Sequence, residues 1–493
     1  MMKLRELLAK VNLQQPEHSA LNLEVNRVCT NSHSCKPGDL FIGMPGTRVD
    51  GGEFWRNAMR KGAIAAVVTP NAADKQPPSA DACIIQTEDA IATCSAIASA
   101  FYDYPTQKLD MVGVTGTNGK TTTSHLIEYF LLQARRDTAM LGTLYTRWKG
   151  YSQTATHTTP FAVELQSQLA EAVKAGNEYA VMEVSSHALS QGRVKGCSFE
   201  VAVFTNLTQD HLDYHRDMED YFQAKSLLFT PEYLANKAII NLDDPYGKRL
   251  IEQLRNKVWT YSVDNQDADL YTSNLDYQPT GVSGILHTPA GEIAFNSPLV
   301  GQFNLANLLA AVGAVLHLGV DLKSVANSLP QFTGVPGRME RIQTSPEQEI
   351  SVIVDYAHTP DSLENLLKAA RPFISGNTIC VFGCGGDRDR TKRPLMGKIV
   401  AQLADVAVVT SDNPRTENPE QILQDIVAGI PDTVKPIVIS DRAEAIATAI
   451  KNARPGDGVI IAGKGHEDYQ ILGTEKIHFD DREQARISLL RSF

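Results

Sequence analysis

Apolar positions in this chain switch repeatedly between a strand-like run and a helical spacing. The run Met111–Val114 leads into a glycine-bearing loop, and Leu126, Ile127, Phe130 and Leu131 then recur as on one helix face. Tyr179–Val184, Val201–Thr205 and Ala238–Asn241 read as further strands between helical patterns, which predicts a mostly parallel sheet. The polar, turn-rich stretch Asp264–Pro298 reads as antiparallel strands, and Pro330 and Pro336 close this unit. Upstream, Pro37–Gly43, Ala63–Thr69 and Ala82–Gln86 read as strands, and Asp89–Tyr102 as a helix running up to the central unit. Downstream, Ser351–Tyr356, Thr378–Phe382, Val406–Thr410, Pro436–Ser440 and Val459–Ala462 alternate with helical patterns, as in a doubly wound domain. The expected architecture is α/β with three domains. They are a smaller N-terminal α/β domain at 1–87, a central phosphate-loop domain at 88–336 and a Rossmann-like domain at 337–493.

Composition narrows the class. The 493 residues leave room for about three domains, and 43% hydrophobic content allows a large core. A net charge of −11 argues against a nucleic-acid or anionic-membrane binder, so anionic ligands must be met by local cations and helix N-termini. Seven scattered cysteines do not read as a disulfide framework, and Cys380 and Cys384 lack partners at zinc-site spacing; buried or free thiols in a reducing cytoplasm are expected. The start, MMKLRELLAKVNL, reads as a short amphipathic helix rather than a signal peptide. The most apolar helix, Leu305–Val320, is too short to span a bilayer. A soluble, cytoplasmic monomer without stable membrane insertion is expected.

The loop between Val114 and the helix reads TGTNGKTT. Gly116 and Gly119 let backbone amides close on phosphate oxygens, and the helix N-terminus adds partial positive charge. Lys120 would reach the β- and γ-phosphates, and the Thr121 hydroxyl would hold Mg²⁺. Val114 replaces the first glycine of the strict pattern, so the loop is a variant phosphate loop for a nucleoside triphosphate.

Four other polar groups follow strands. Glu183 ends the run YAVME, placed either to bind Mg²⁺ or to point into solvent. TNLTQDHLDYH (Thr205 to His215) crowds Asp210, His211, Asp213 and His215 as either a metal cluster or a polar loop. GCGGDRDRTKR (Gly383 to Arg393) brings Arg388, Arg390, Lys392 and Arg393 together, suited to carboxylate or phosphate, or else a solvated charge run. DNPR (Asp412 to Arg415) sets an acid, an amide and a guanidinium on a proline-stiffened turn, which matches an amino acid ligand.

Taken together, these motifs resemble the Mur ligase family, ATP-dependent amide-forming enzymes of peptidoglycan precursor synthesis. The resembling residues are GVTGTNGKTT (113–122), MEVSSH (182–187), TNLTQDHLDYH (205–215), AKSLLF (224–229), GQFNLAN (301–307), GRME (337–340), DYAHTPDSLE (355–364), FGCGGDRD (382–389), DNPR (412–415) and AGKGHEDYQ (462–470). The resemblance implies ATP-driven addition of an amino acid to the D-glutamate γ-carboxylate of UDP-N-acetylmuramoyl-L-alanyl-D-glutamate through an acyl phosphate. DNPR and GKGHEDY point to the branch that adds meso-diaminopimelate.

By the same resemblance, ATP would lie on Gly116, Thr117, Asn118, Gly119, Lys120, Thr121 and Thr122, with Asn304 at the adenine and Asp355 at the ribose. Two Mg²⁺ ions would be held, the first by Thr121 and Glu183, the second with His211 as a ligand. Lys225, unaided a surface lysine, would be carbamylated and hold Mg²⁺. Arg338 and His358 would lie near the phosphates. Thr30, Ser32, Thr47, Arg48, Val49, His157, Thr158, Thr159, Ser185, Gln191 and Arg193 would hold the nucleotide dipeptide. Arg388, Asp412, Asn413, Pro414, Arg415, Gly463 and Glu467 would hold the amino acid, with Arg415 on the distal carboxylate of diaminopimelate. The chain departs from the family pattern at Asn31-Ser32-His33, Arg48 and His157. A lysine-adding member, a folylpolyglutamate synthase and a nucleotide-switched binding module are the alternatives, separable by amino-acid-dependent ATP turnover.

Overall fold

The computed structural model describes residues 2–46, 49–79, 81–254, 257–278 and 281–492. Near the N-terminus, helix α1 (Leu4–Lys10) buries Leu4, Leu7 and Leu8, the spacing of a one-faced amphipathic helix. Four parallel strands follow, paired in sequence order: β1 (Arg27–Cys29), β2 (Asp39–Ile42), β3 (Ala65–Val68) and β4 (Ile84–Gln86). Alternate residues serve opposite faces. Leu40, Ile42, Ala65 and Val67 pack with α1, whereas Phe41, Ala66 and Val68 pack with Cys29, Cys35 and Trp55. Helix α2 (Ala90–Phe101), capped by the Asp89 carboxylate, sends Cys94, Ile97 and Ala100 into the α1 side of this N-terminal core.

The phosphate loop leaves β5 (Asp110–Thr115) and enters helix α3 (Lys120–Gln133). Further strands are β6 (Thr138–Leu141), β7 (Tyr145–Trp148), β8 (Tyr151–Thr154), β9 (Tyr179–Glu183), β10 (Phe199–Phe204), β11 (Leu234–Asn241) and β12 (Val258–Tyr261). They form one sheet in the order β8-β7-β6-β9-β5-β10-β11-β12. β9 runs parallel to both β5 and β6, and β7 and β8 add an antiparallel edge. Helix α4 (Ala162–Lys174) precedes β9, helix α5 (Ser186–Ser190) follows it, and α6 (Met218–Ser226) follows β10. The turn-rich stretch is three antiparallel strands, β13 (Tyr271–Gln278), β14 (Gly281–Thr288) and β15 (Gly291–Ser297). After them comes α7 (Gln302–His317), whose apolar length falls short of a bilayer; no helix among the described residues is long and apolar enough to cross one.

The last sheet has the order β16-β17-β21-β18-β19-β20, from β16 (Glu340–Arg341), β17 (Ser351–Asp355), β18 (Thr378–Phe382), β19 (Val406–Val409), β20 (Ile437–Val438) and β21 (Gly458–Ala462). All but β16 run parallel. Cys380 and Phe382 pack with Leu363, Leu366, Met396, Val400 and Ile426 on one face. Ile379 and Val381 pack with Ile446, Ile450, Ala485 and Leu489 on the other, so helices cover both faces of a doubly wound sheet. Asp355, Gly383, Ser411 and Gly463 each lie at or just past the carboxyl end of a parallel strand, where such sheets bind ligands. A hairpin, β22 (Tyr469–Leu472) and β23 (Glu475–His478), follows.

The chain divides into two compact units. One comprises Met1–Thr115, Arg135–Ala202 and Ala224–Ala238, the other Gly116–Ala134, Val203–Gln223 and Ile239–Phe493.

Candidate active site

Within the second unit, the phosphate loop turns on two glycines. Gly116 (φ +150°) sits where a β-carbon would stand 1.9 Å from Thr205 Oγ1, and Gly119 (φ +86°) where one would stand 2.3 Å from Asn307 Oδ1. The backbone is pinned from Thr205–Thr208: Thr117 N–H donates to Asn206 O (2.9 Å), Asn118 N–H to Asn206 Oδ1 (2.9 Å) and Thr205 Oγ1 to Asn118 O (2.6 Å). Lys120 folds back over the loop, donating to Gly116 O (3.0 Å) and Thr117 O (2.9 Å). Thr121 and Thr122 are buried in the first turn of α3, and Thr121 Oγ1 accepts from Arg338 Nη2 at 3.1 Å.

A cavity of about 720 Å³ opens beside this loop, a size that accommodates a nucleotide. Its wall includes Thr121, Asn206, Asp243, Phe303, Arg338 and Asp355. Asp355 ends β17 and accepts from Met339 and Ala357 N–H, both at 2.7 Å; burial raises its pKa, against the pull of Arg338. Arg338 stacks on the Tyr356 ring, 4.5 Å from its centre. Asn304 is buried in the first turn of α7 with its amide donating to Val300 O (2.9 Å), while Phe303, Ala306 and Asn307 form the cavity wall there. Asn118 Nδ2 also reaches Asp361 Oδ2 (2.8 Å), an acid of the DYAHTPDSLE motif to which the sequence reading gave no role.

Lys392, His211 and His358 gather around Asp210. Lys392 Nζ lies 3.4 Å from one oxygen, and His211 and His358 Nε2 lie 3.6 and 3.7 Å from the other. Burial alone would raise this carboxyl, but Lys392 and the two imidazoles hold it well below the usual carboxylate range. His211 adopts φ +57°, uncommon for a non-glycine residue, with its N–H donating to Asp210 Oδ1 (2.9 Å) at the foot of the loop. His358 Nδ1 is held by Tyr356 O at 2.7 Å, which directs Nε2 toward Asp210.

The Asp412–Arg415 turn follows β19. Buried Asn413 donates to Glu467 Oε2 (2.9 Å), and Lys464, fully buried, donates to Asn413 Oδ1 (3.1 Å) and the same Glu467 oxygen (3.0 Å). Burial would raise Asp412, but Lys464 and Arg442 hold its pKa down. Arg415 (φ +52°) donates to Gly386 O (2.8 Å), and its N–H pairs with Ile471 O (3.1 Å) in β22. Pro414 packs its carbonyl against Gly386, and Gly463 N–H donates to Asp355 O (3.0 Å). Arg388 is exposed, with Nη1 on Asp387 O (2.8 Å). The basic run is thereby corrected as a single group: Arg393 is fully buried in ion pairs with Glu417 and Asp425, so it braces the fold, while Lys392 turns to Asp210.

In the first unit, Glu183 ends β9 completely buried, which removes the solvent-facing reading. Its oxygens accept from Thr143 N–H (2.9 Å) and Thr143 Oγ1 (2.8 Å), and Thr158 Oγ1 lies 3.1 Å from that hydroxyl. Thr159 Oγ1 donates to Glu183 O (2.8 Å), and Ser185 Oγ caps α5 by accepting from Ala188 N–H (3.2 Å). Arg193 reaches Thr159 O (3.0 Å) and Gln191 Oε1 (2.7 Å) and covers the Phe161 ring, against whose face His157 stands edge-on. Lys225 is 1% exposed, so the unaided reading of a surface lysine is corrected. It lies three and four residues after the buried Phe222 and Tyr221, on their face of α6, a spacing the sequence already carried. Ser32 is buried and accepts from Asn57 Nδ2 (3.2 Å); Thr30 and Val49 are exposed. Thr47 and Arg48 lie outside the described residues.

Models of three successive domains match the chain: the Mur ligase family catalytic domain at 24–102, the Mur ligase middle domain at 114–315 and the Mur ligase glutamate ligase domain at 337–465. The chain belongs to the Mur ligase family. It is 70% identical to a UDP-N-acetylmuramoyl-L-alanyl-D-glutamate–2,6-diaminopimelate ligase of Trichormus variabilis over 490 residues, 99% of each chain. A ligase of the same name from Synechocystis is 67% identical over 472 residues, 96% of this chain and 94% of that one. A solved structure bearing that name superposes with a TM-score of 0.70 at 35% identity, covering 99% of both chains.

Proposed function

We propose that this chain is an ATP-dependent, ADP-forming ligase that adds meso-diaminopimelate to the D-glutamate γ-carboxylate of UDP-N-acetylmuramoyl-L-alanyl-D-glutamate. It would act as a cytoplasmic monomer in peptidoglycan precursor synthesis. The observation that carries the reading is 70% identity over 99% of the chain to a ligase of that name. Domain 1–87 is assigned to the UDP moiety, 88–336 to ATP and 337–493 to the incoming amino acid.

A carboxylate is a poor electrophile, so the γ-phosphoryl group is first moved onto it. The amine then attacks the acyl phosphate and phosphate leaves. Transfer between two anions needs charge neutralisation more than covalent catalysis. The amides of Gly116–Gly119 and the N-terminus of α3 would take the phosphates. Lys120 would exchange the Gly116 and Thr117 carbonyls for phosphate oxygens. Arg338 and His358 flank that transfer, Asp355 takes the ribose, and Asn304 serves the adenine end. Ser32, Thr158, Thr159, Ser185, Gln191 and Arg193 hold the nucleotide dipeptide. The Asp412–Arg415 turn, Arg388, Gly463 and Glu467 hold the amino acid, Arg415 taking the distal carboxylate that lysine lacks.

Thr121, Glu183, His211 and Lys225 are assigned to two Mg²⁺. The fit is supported by hard oxygen donors and by the burial of both Glu183 and Lys225. A buried ammonium is costly, and carbamylation turns Lys225 into an anionic oxygen donor. When bound, Mg²⁺ offsets negative charge as the phosphoryl group passes. Incubation with the nucleotide dipeptide, meso-diaminopimelate and ATP is expected to yield the nucleotide tripeptide by mass spectrometry, with one ADP per product. ATP turnover without tripeptide would overturn the reading.

A further inference from the structure

The loop that carries Ser32 is bracketed by two cysteines. Cys29 ends β1 and Cys35 stands just before β2. Between them the chain turns back on itself. Ser34 N–H and Ser34 Oγ both donate to Asn31 O at 3.0 Å, and His33 N–H donates to Asn31 Oδ1 at 3.0 Å. The turn brings both Sγ atoms and a carboxylate oxygen of Asp39 within 4.8 Å of one another. Each thiol is 5% exposed, yet Asn31, His33 and Ser34 between them are exposed, so the pair lies just beneath a surface turn.

Two thiols and a carboxylate could invite a soft metal. Asp39, however, is already taken, by Arg27 Nε and Nη2 (2.6 Å at the shortest) and by Lys36 N–H at 2.8 Å. A guanidinium already paired with that carboxylate opposes a bound cation. Burial, and then its hydrogen bond to Cys29, push the Cys35 thiol up to about 12. Cys35 therefore ionises reluctantly and is assigned the resolving role, with Cys29 the sulfur that attacks.

We propose that Cys29 and Cys35 are a reversible dithiol–disulfide pair, and that closing it weakens binding of the nucleotide substrate at Ser32. The Cys29 thiolate attacks one sulfur of an external disulfide such as glutathione disulfide and expels one thiol. Cys35 sulfur then attacks Cys29 of the mixed disulfide and expels the second. Two electrons pass to the external disulfide, and the two protons leave on the released thiols. Closure draws the sulfurs to about 2.05 Å and tightens the seven residues Cys29–Cys35 into a ring that includes Thr30 and Ser32. Closure also removes the Cys29 Sγ–Asn31 O hydrogen bond (3.1 Å) and shifts the turn whose Ser32 accepts from Asn57. Disulfides in reducing compartments are characteristically transient and sensing, which fits a pair just beneath a surface turn.

The second half rests on the function proposed above; the first does not. The test uses the full chain equilibrated in glutathione buffers of graded redox ratio. Under oxidation the peptide 28–48 is expected to lose two hydrogen masses and to regain them with dithiothreitol. Cys35→Ser should instead trap glutathione on Cys29, and Cys29→Ser should form no link. Calorimetry should show the nucleotide dipeptide bound about 3–10-fold more weakly by oxidised wild type, the worth of roughly one hydrogen bond, with Cys29→Ser unresponsive. An oxidised chain without the linked peptide overturns the pair. A linked peptide with unchanged affinity overturns the coupling to Ser32. Failure of the underlying function would show separately, as a reduced chain that does not bind the dipeptide.

Discussion

At the phosphate loop the proposed nucleotide would meet main chain; at the Asp412–Arg415 turn the proposed amino acid would meet side chains. The first depends on two glycines with positive φ and a helix N-terminus, set by a few residues adjacent in sequence. The second depends on Asn413 and, 51 and 54 residues further on, Lys464 and Glu467, joined by three hydrogen bonds of 2.9–3.1 Å. A backbone cradle suits the part of the reaction common to the family. A side-chain network can be retuned by single substitutions, and that is where the proposed function would place the choice of amino acid.

Substitutions can break this contrast. The largest effect is expected for Lys120→Ala, which should lower kcat on the order of 10²–10³-fold for every amino acid offered, measured by ADP release. Next, Arg415→Ala should lower kcat/KM for meso-diaminopimelate by roughly 10²-fold, the cost of leaving one charged group unpaired, with KM for ATP unchanged. Loss of ATP binding in that variant would merge the two regions.

Lys464→Met should raise KM for the amino acid about tenfold while KM for the nucleotide dipeptide stays put, because Asn413 and Glu467 lose their brace and Asp412 a neighbouring positive charge. Lys464→Arg should recover part of the affinity. The smallest effect concerns His466, pushed down to about 3 by burial and the Arg338 charge. The unfolded chain takes up this proton near pH 6.5, whereas the folded chain does not until near pH 3. Stability therefore falls as pH drops through that window. Thermal midpoints of His466→Gln should decline less steeply than wild type between pH 6.5 and 5.

Sequence patterns disclosed the strands that feed the site because each is a short apolar run closed by a polar motif: Asp110–Thr115, Tyr179–Glu183 and the parallel strands of the last sheet. They did not disclose the antiparallel edge Tyr145–Thr154 or the hairpin Tyr469–His478, where one strand of each pair is exposed and the other buries a polar residue, Thr146 or Gln470. At the site, Gly116, Gly119 and Lys120 were legible from spacing alone. Thr143 was not, since its role is to grip Glu183 from a strand end forty residues away. Lys464 and Lys392 were visible in their motifs as charges, but only tertiary packing shows that one is spent on Glu467 and the other on Asp210. Arg393 shows the converse, a conspicuous cation that the fold uses internally.

The most direct test is ADP release by the full chain with UDP-N-acetylmuramoyl-L-alanyl-D-glutamate, comparing meso-diaminopimelate with L-lysine. Turnover with diaminopimelate and only background with lysine is the expected result. Equal or faster turnover with lysine would contradict the assignment of amino acid choice to the Asp412–Arg415 turn.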